Sequence, residues 1–164
     1  MKIKLVGISA SPRHGNTEML VREALASGAK AVEGMNQEYS VETELISFKG
    51  KKIQGCIDCK ACVRNKSMCI LKDDWQELIS HLTTPVPNGV IIGAPVYFFS
   101  VNSALRAFME RATCLMKGFW YPDYPIQAPD WSKTAAGAVA VGFHRNGGQE
   151  HANSNILQWF LVNG

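Results

Sequence analysis

Apolar residues in this chain occur in two patterns, short continuous runs and longer stripes with a helical period. The runs Ile3–Ile8, Gly89–Gly93 and Ala135–Gly142 are almost wholly apolar, which is typical of strands buried on both faces of a parallel sheet. The segment Val41–Phe48 instead alternates apolar and polar residues, as a strand nearer the sheet edge does. The pattern therefore predicts four strands.

Helices are predicted between these strands. A helix capped by Asn16 and Thr17 is expected to run to about Gly34. Its inner face is predicted to contain Leu20, Ala24 and Leu25. The sequence Asp74-Trp75-Gln76-Glu77 resembles a capping box and predicts a second helix to about His81.

Two further helices complete the predicted order of elements. One begins near Asn102, and a last one runs from Gln149 to about Val162. The apolar stripe of the first of these contains Leu105, Phe108, Met109, Ala112, Leu115 and Met116. Residues 118–133, rich in proline and aromatic residues, predict a loop. The order βαβ-αβαβα favours an α/β fold in which a parallel sheet lies between two layers of helices.

Composition narrows the class of protein. A length of 164 residues suits one domain, residues 1–164, with its own core. A net charge of only +3 gives no strong case for nucleic acid or an acidic membrane as partner. The N-terminus lacks the apolar run of a signal peptide, and no run reaches the ~18 residues of a membrane span. A cytoplasmic, reducing location is expected, where clustered cysteines more often bind metal or do redox chemistry than form disulfides.

Each predicted strand is followed by an unusual segment. These segments are residues 9–17, 56–69, 95–102 and 142–150. The carboxyl ends of parallel strands meet at one edge of a sheet, where ligands bind, so one composite site is expected. The last segment combines a glycine turn with polar donors ahead of a helix, which is a weak signal alone.

Residues 9–17 and 95–102 predict binding sites for a phosphate and for a flat ring, respectively. Residues 9–17 place short hydroxyl and amide donors and Gly15 before a helix, which suits a phosphate, although a polar turn that only caps the helix has the same composition. The motifs G-x-G-x-x-G and G-K-[ST] are absent from it. Tyr97, Phe98 and Phe99 suit a flat heterocycle, and a core or oligomer-interface cluster is the alternative.

Four cysteines lie within fourteen residues, in the spacing C-x2-C-x2-C-x6-C. They are Cys56, Cys59, Cys62 and Cys69. This spacing permits four thiolates to hold one iron–sulfur cluster. Zinc also accepts four thiolates, but structural zinc sites usually separate two C-x2-C pairs more widely, and free or transiently oxidised thiols need no metal. Cys114, on the apolar stripe of the third helix, is expected to be a buried core residue.

Together these motifs resemble the NADPH-dependent FMN reductase branch of the flavodoxin-like superfamily. Ser9-Ala10-Ser11-Pro12-Arg13 with Gly15-Asn16-Thr17 resembles its flavin phosphate loop, and Ala94-Pro95-Val96-Tyr97-Phe98 resembles its isoalloxazine loop. Residues 145–150 resemble its third flavin-side loop. The cysteine run followed by Asp73-Asp74 is similar to the iron–sulfur flavoproteins of that branch. The resemblance covers nearly the whole chain.

The resemblance implies a flavodoxin-like three-layer αβα sandwich that binds FMN at the carboxyl edge of its sheet. The implied phosphate ligands are Ser9, Ser11, Arg13, Asn16 and Thr17. The implied neighbours of the ring are Pro95, Val96, Tyr97, Phe98, Gly142, Arg145, Gly147 and Gly148. A [4Fe-4S] cluster is implied on the four cysteines, in a loop (residues 56–69) inserted after the second strand. The implied mechanism needs no side chain that acts as a general acid. The side chains implied to tune the chemistry of the flavin are Tyr97, His144 and Arg145.

The implied function is an FMN-dependent oxidoreductase that takes electrons from NAD(P)H or a ferredoxin and forms a homodimer or homotetramer. Three alternatives stay open at this point. They are a cluster-free NAD(P)H-dependent flavin or quinone reductase, a non-enzymatic electron carrier like flavodoxin, and a redox-sensing or interaction protein. The family sheet has five strands, usually in the order 2-1-3-4-5, and the sequence ends where the fifth is expected, so a sheet without that strand is predicted.

Overall fold

Five strands and five α-helices lie along residues 1–36 and 38–164, the part of the chain that the computed structural model describes. The strands are β1 (Lys2–Ser9), β2 (Ser40–Ser47), β3 (Gly89–Tyr97), β4 (Ser100–Val101) and β5 (Ala135–Val141). The helices are α1 (Asn16–Met35), α2 (Ala61–Arg64), α3 (Trp75–Thr83), α4 (Ser103–Arg111) and α5 (Gln149–Asn163), and a 3-10 helix, Ala112–Phe119, continues α4. Within these ranges no helix is both long and apolar enough to cross a bilayer.

Four of the strands form a parallel sheet in the order β2-β1-β3-β5. Lys2 of β1 pairs with Ser40 of β2, and Leu5 of β1 pairs with Gly89 of β3. The short β4 runs antiparallel to the end of β3. The predicted parallel sheet is therefore confirmed, and β2, whose sequence alternates, pairs with β1 at the edge of the sheet.

Successive residues of each strand face opposite layers of helices, because side chains alternate across a sheet. Val6 and Ile8 of β1 belong to the main core, which also contains residues of α3, α4 and α5. Gly7 faces α1, since a Cβ at this position would lie 2.6 Å from Val21 Cγ1 and 2.7 Å from Leu25 Cδ1. The three predicted layers are therefore present, and Gly7 allows α1 to pack closely on the sheet.

An aromatic cluster centred on Phe108 holds the main core together. Its ring centroid lies 5.4 Å from that of Phe48, 6.5 Å from Trp75 and 6.1 Å from Trp159. The predicted stripe is buried throughout, as is Cys114. The α-helix ends at Arg111, however, and the second half of the stripe lies on the 3-10 helix.

The inner face of α1 differs from the prediction. The side chains that α1 buries are Thr17, Glu18, Val21 and Leu25. Leu20, predicted to face inward, is 41% exposed. The N-cap position is Gly15 and no side chain caps the helix, so the predicted capping by Asn16 and Thr17 is wrong. The inward face is shifted because a buried polar residue, Glu18, occupies part of it.

The capping box predicted for α3 is also wrong, although the helix lies close to its predicted position. The side chain of Asp74 does not cap α3. Asp73 Oδ1 instead accepts the Trp75 backbone N–H at 3.1 Å, and Asp74 Oδ2 accepts the Lys52 backbone N–H at 2.6 Å. Both aspartates therefore bind backbone at the start of the helix and in the preceding segment.

Residues 118–133 begin within the 3-10 helix and are otherwise irregular, close to the predicted loop. Two buried rings anchor the segment. Tyr124 Oη lies 2.8 Å from Ser67 O and 2.9 Å from Cys114 O, within donating distance of both. Trp131 Nε1 donates to Leu82 O at 2.9 Å. The loop is thus part of the packed structure.

Glu18 binds three partners, of which Ser47 joins α1 to β2. One carboxylate oxygen lies 2.8 Å from His14 Nδ1 and 3.0 Å from the Ser47 hydroxyl, and the other accepts an Arg22 N–H at 2.9 Å. Hydrogen bonding to His14, which outweighs the opposing effect of burial, together with Arg22 and Ser47 lowers the pKa of Glu18 from 4.5 to about 2. A depressed carboxyl pKa gives stability that is present above pH 4.5 and lost as the pH falls toward 2.

We expect Glu18→Gln to lower the free energy of unfolding by about 2 kcal/mol at neutral pH, because it removes a charged hydrogen-bond acceptor. The difference from the wild type should shrink as the pH falls from 4.5 toward 2, which urea unfolding at neutral and acid pH measures. Glu23→Gln, on the exposed side of the same helix, is the control and should cost less than about 0.5 kcal/mol. A difference that does not change with pH would contradict this role of Glu18.

Candidate functional site

The carboxyl ends of the four parallel strands lie side by side at one edge of the sheet. Ser9, the last residue of β1, pairs with Ser47 at the end of β2 and with Gly93 in β3. Pro95 of β3 pairs with Val141, the last residue of β5. The predicted segments 9–17, 95–102 and 142–150 therefore begin next to one another, whereas the cysteine segment begins nine residues after β2 ends.

The loop between β1 and α1 contains the residues predicted to bind a phosphate. Ser9, Ser11 and Thr17 are buried, whereas Arg13 and Asn16 are exposed. Ser11 Oγ accepts the Arg13 N–H at 3.2 Å and lies 2.7 Å from Arg13 O, which fixes the turn. Ser9 Oγ is buried without a hydrogen-bond partner in residues 1–36 and 38–164. Because no side chain caps α1, the backbone N–H groups of its first turn suit an anion.

The aromatic segment after β3 is a tight β-hairpin and not an open loop. β3 continues past its predicted end through Pro95 and Val96 to Tyr97, and the chain then turns back into β4. The turn residues Phe98 and Phe99 have φ values of 47° and 71°, a conformation in which glycine or asparagine is usual. Pro95 is buried and Val96 half-buried, while Tyr97 is 47% and Phe98 105% exposed. The hairpin therefore presents its rings outward.

Gly148 brings the loop after β5 against this hairpin. Its φ is 104°, and a Cβ there would lie 2.6 Å from Phe99 O and 2.7 Å from Phe99 Cα. Gln149 closes the loop, since its side chain accepts the Gly147 N–H at 2.8 Å and donates to His144 O at 2.7 Å. The other predicted ring neighbours in this loop are Gly142 and Gly147, which are half-buried, and Arg145, which is exposed. The second and third predicted flavin loops are thus in direct contact.

The segment between β2 and α3 is folded against α3 and α4. The Gln54 backbone N–H donates to Asp73 Oδ2 at 2.8 Å, and the Cys56 backbone N–H donates to Glu110 Oε1 at 2.8 Å. The Gln76 side chain donates to Cys69 O at 3.0 Å. The segment also contains the short helix α2, which the sequence did not predict.

All four cysteines of the motif line one cavity of about 70 Å³. Cys56 is exposed, and the other three are half-buried. Charged residues and one further thiol also line the cavity: Asp58, Lys60, Arg111, Lys117 and Cys114. Within residues 1–36 and 38–164, no three His, Cys, Asp or Glu side chains are arranged to hold a single metal ion. The structure thus brings the four predicted thiols around one space, but does not arrange them about a single metal ion.

Arg111 is a residue of this site that the sequence did not reveal. Its side chain is fully buried and forms an ion pair with the buried carboxylate of Asp73, at 2.5 Å. Its guanidinium carbon lies 4.8 Å from the centre of the Trp75 ring. Burial opposes the charge on both groups. Hydrogen bonding between them, aided for Arg111 by Cys69, nevertheless raises the pKa of Arg111 and lowers the pKa of Asp73.

Cys114 contributes a fifth thiol to the wall of the cysteine cavity. Burial is the main cause that raises its pKa to about 11; a backbone hydrogen bond with Cys69 opposes the rise, and the charges of Cys69 and Cys62 add to it. Burial likewise raises the pKa of the adjacent Tyr124 to about 12. Both groups are therefore neutral at neutral pH.

Sequence comparison finds one matching family and several similar proteins. A family model described as NADPH-dependent FMN reductase matches residues 3–163. An iron-sulfur flavoprotein of Methanocaldococcus jannaschii is 39% identical over 161 residues, which are 98% of this chain and 72% of that protein. An iron-sulfur flavoprotein of Archaeoglobus fulgidus is 36% identical over 161 residues, with the same coverage of both chains.

Two solved structures, those of AzrA and RosB, have the same fold. The azoreductase AzrA matches with a TM-score of 0.62 at 7% identity, over 98% of this chain and 82% of AzrA. RosB, solved with bound 8-demethyl-8-formylriboflavin-5'-phosphate, matches with a TM-score of 0.61 at 16% identity, over 99% of this chain. This chain spans 60% of the length of RosB. At these identities the likeness shows the fold, which is flavodoxin-like.

We expect Gly148→Ala to weaken FMN binding and to lower the free energy of unfolding by about 1–3 kcal/mol, because alanine is strained at this φ and its Cβ would push the hairpin away. Fluorescence titration of the apoprotein with FMN and urea unfolding measure the two effects. Gly137→Ala in β5, whose Cβ would meet Ile91 only at 3.7 Å, is the control and should leave FMN affinity unchanged. Equal FMN affinity in both variants would show that contact between the two loops does not shape the site.

Proposed function

This chain belongs to the NADPH-dependent FMN reductase family, and we propose that it is an FMN-dependent oxidoreductase in which a [4Fe-4S] cluster exchanges electrons with the flavin. The proposed cluster ligands are Cys56, Cys59, Cys62 and Cys69. The observation that carries the proposal is that these four thiols line one cavity in a chain whose other strand-end loops have the donors that FMN needs.

The carboxyl edge of the sheet fits FMN by its donors. The buried Ser9 hydroxyl without a partner and the uncapped first turn of α1 supply hydrogen-bond donors for a phosphate, and the exposed Arg13 adds positive charge. Where the isoalloxazine ring of FMN would lie, the loop after β5 contacts the hairpin after β3, since Gly148 packs against Phe99. When bound, FMN accepts a hydride or single electrons.

The cysteine cavity fits an iron–sulfur cluster by its ligands and its charge. Four cysteine thiolates are the ligand set of a [4Fe-4S] cluster, and such a cluster supplies one-electron transfer. Lys60, Lys117 and the buried Arg111 line the same cavity and oppose the negative charge of the thiolates. The relatives named above are iron-sulfur flavoproteins, which supports the assignment.

The proposed work of the protein is binding, orientation and electrostatic tuning, with no side chain as a general acid or base. Tyr97 and Arg145 are exposed at the carboxyl edge, where they would contact the flavin or an incoming donor. Phe98 and Phe143, which are 105% and 96% exposed, suit contact with a second copy of the chain, in line with a proposed homodimer or homotetramer. A cytoplasmic location is part of the same proposal.

We expect Cys56→Ala to retain FMN and to lose iron, to less than about half of the wild-type content, because the cluster would lack one of its four ligands. Cys114→Ala is the matched control, since it removes a thiol from the same cavity that is outside the motif, and should retain both iron and FMN. Iron, acid-labile sulfide and flavin are measured on anaerobically purified protein. Flavin without iron in the wild type would support the cluster-free NAD(P)H-dependent flavin or quinone reductase instead.

We expect NADPH to bleach the bound flavin within seconds under anaerobic conditions, as a reductase of this family should. Stopped-flow absorbance with NADPH, NADH and a reduced ferredoxin in parallel identifies the donor. Slow reduction by both nicotinamides with fast reduction by ferredoxin would favour the non-enzymatic carrier. Failure to retain FMN at all would favour a redox-sensing or interaction protein that reuses the fold.

A further inference from the structure

Arg111 is the most deeply buried charged side chain that lines the cysteine cavity. It is 1% exposed, whereas Asp58 and Lys60 are exposed and Lys117 is half-buried. We propose that Arg111 is the fixed counter-charge of the four-cysteine site and raises the reduction potential of the cluster held there. This inference rests on the proposed function, because it concerns the same cysteines.

Partners at the start of α3 and just before it hold the guanidinium in place. Arg111 Nη1 donates to both carboxylate oxygens of Asp73, at 2.6 and 2.5 Å, and Nη2 lies 3.3 Å from Leu71 O. Trp75 stacks on the guanidinium. Nε is buried without a hydrogen-bond partner in the part of the chain that the structure describes. Arg111 lines the cavity and Asp73 does not, so the positively charged residue of the pair is the one beside the thiols.

A positive charge at this place favours the reduced state of a cluster. Reduction adds one electron, and therefore one negative charge, without making or breaking a bond to the protein. Attraction between that charge and a buried guanidinium is weakly screened, whereas water and salt screen an exposed lysine. Glu110, which accepts the Cys56 N–H, is half-buried and Asp58 is exposed, so both are more open to water than Arg111 and their negative charges are more strongly screened. Arg111 is consequently the cation expected to dominate.

The experiment compares reduction potentials in three variants. Arg111→Met alone would leave Asp73 buried without a partner, so the double variant Arg111→Met/Asp73→Asn removes both charges of the pair, of which only Arg111 lines the cavity. Arg111→Lys keeps the positive charge but lacks the planar guanidinium and its paired hydrogen-bond donors. Lys117→Met removes a half-buried charge from the same cavity. Each protein is titrated anaerobically with dithionite, which supplies the electron, and the reduced cluster is followed by electron paramagnetic resonance.

We expect the double variant to lower the equilibrium constant for one-electron reduction at least tenfold, a shift of ~59 mV toward negative potential. Arg111→Lys and Lys117→Met should each shift it by less than about threefold, or ~28 mV. An unchanged potential in the double variant would overturn the proposal.

Iron content separates this inference from the proposed function. A wild type without iron would refute the proposed function, whereas iron-containing proteins with equal potentials would refute only the role of Arg111. If the double variant loses its iron and Arg111→Lys keeps it, the positive charge is required at the site, as proposed. If the double variant and Arg111→Lys both lose their iron, the site needs the planar guanidinium and a positive charge alone is not enough, so the proposal is wrong.

Discussion

The cysteine site depends on the buried ion pair between Asp73 and Arg111. Asp73 accepts the backbone N–H groups of Gln54 and Trp75, so it closes the base of the segment that carries the cysteines. Arg111 ends α4 and stacks on Trp75 at the start of α3. The pair therefore fixes the distance between the segment and the α4–3-10 junction. The cavity lies between these two parts of the molecule, and one wall comes from each.

A buried ion pair is a poor means of stabilising a fold, because desolvation cancels much of the attraction between the charges. Apolar packing is available at the same place, since Phe108 and Trp75 are in contact beside the pair. The charge is better accounted for by its effect on the cavity than by its effect on folding. The carboxyl edge of the sheet, where we propose that FMN binds, differs from the cysteine site in the groups that it offers a ligand. It offers the backbone N–H groups of α1 and the neutral hydroxyl of Ser9.

The sequence predicted the features that depend on local pattern. Apolar runs identified three of the parallel strands and an alternating pattern the fourth, and parallel topology then predicted that their loops share one edge. The burial of Arg111 could not be predicted in this way, because arginine is usually exposed and its partner lies 38 residues away. The capping box failed for a similar reason, since Asp74 binds Lys52, which no helix pattern includes. Leu20 faces outward, and the inner face of α1 includes Glu18, which accepts the Ser47 hydroxyl 29 residues away, a contact that an apolar pattern does not reveal.

Backbone conformation distinguishes the proposed sites from the rest of the described chain. Six non-glycine residues in residues 1–36 and 38–164 have positive φ. They are Asp58, Lys60, Lys66, Phe98, Phe99 and Asn146. Three lie in the cysteine segment and three in the two contacting flavin loops, and each such residue costs on the order of 1–3 kcal/mol. A chain that only needed to fold would have glycine or asparagine at most of these positions. The unfavourable conformations are therefore concentrated in the loops that we propose to hold the cluster and FMN, as is expected where the surrounding structure imposes the backbone of a site at a cost in local stability.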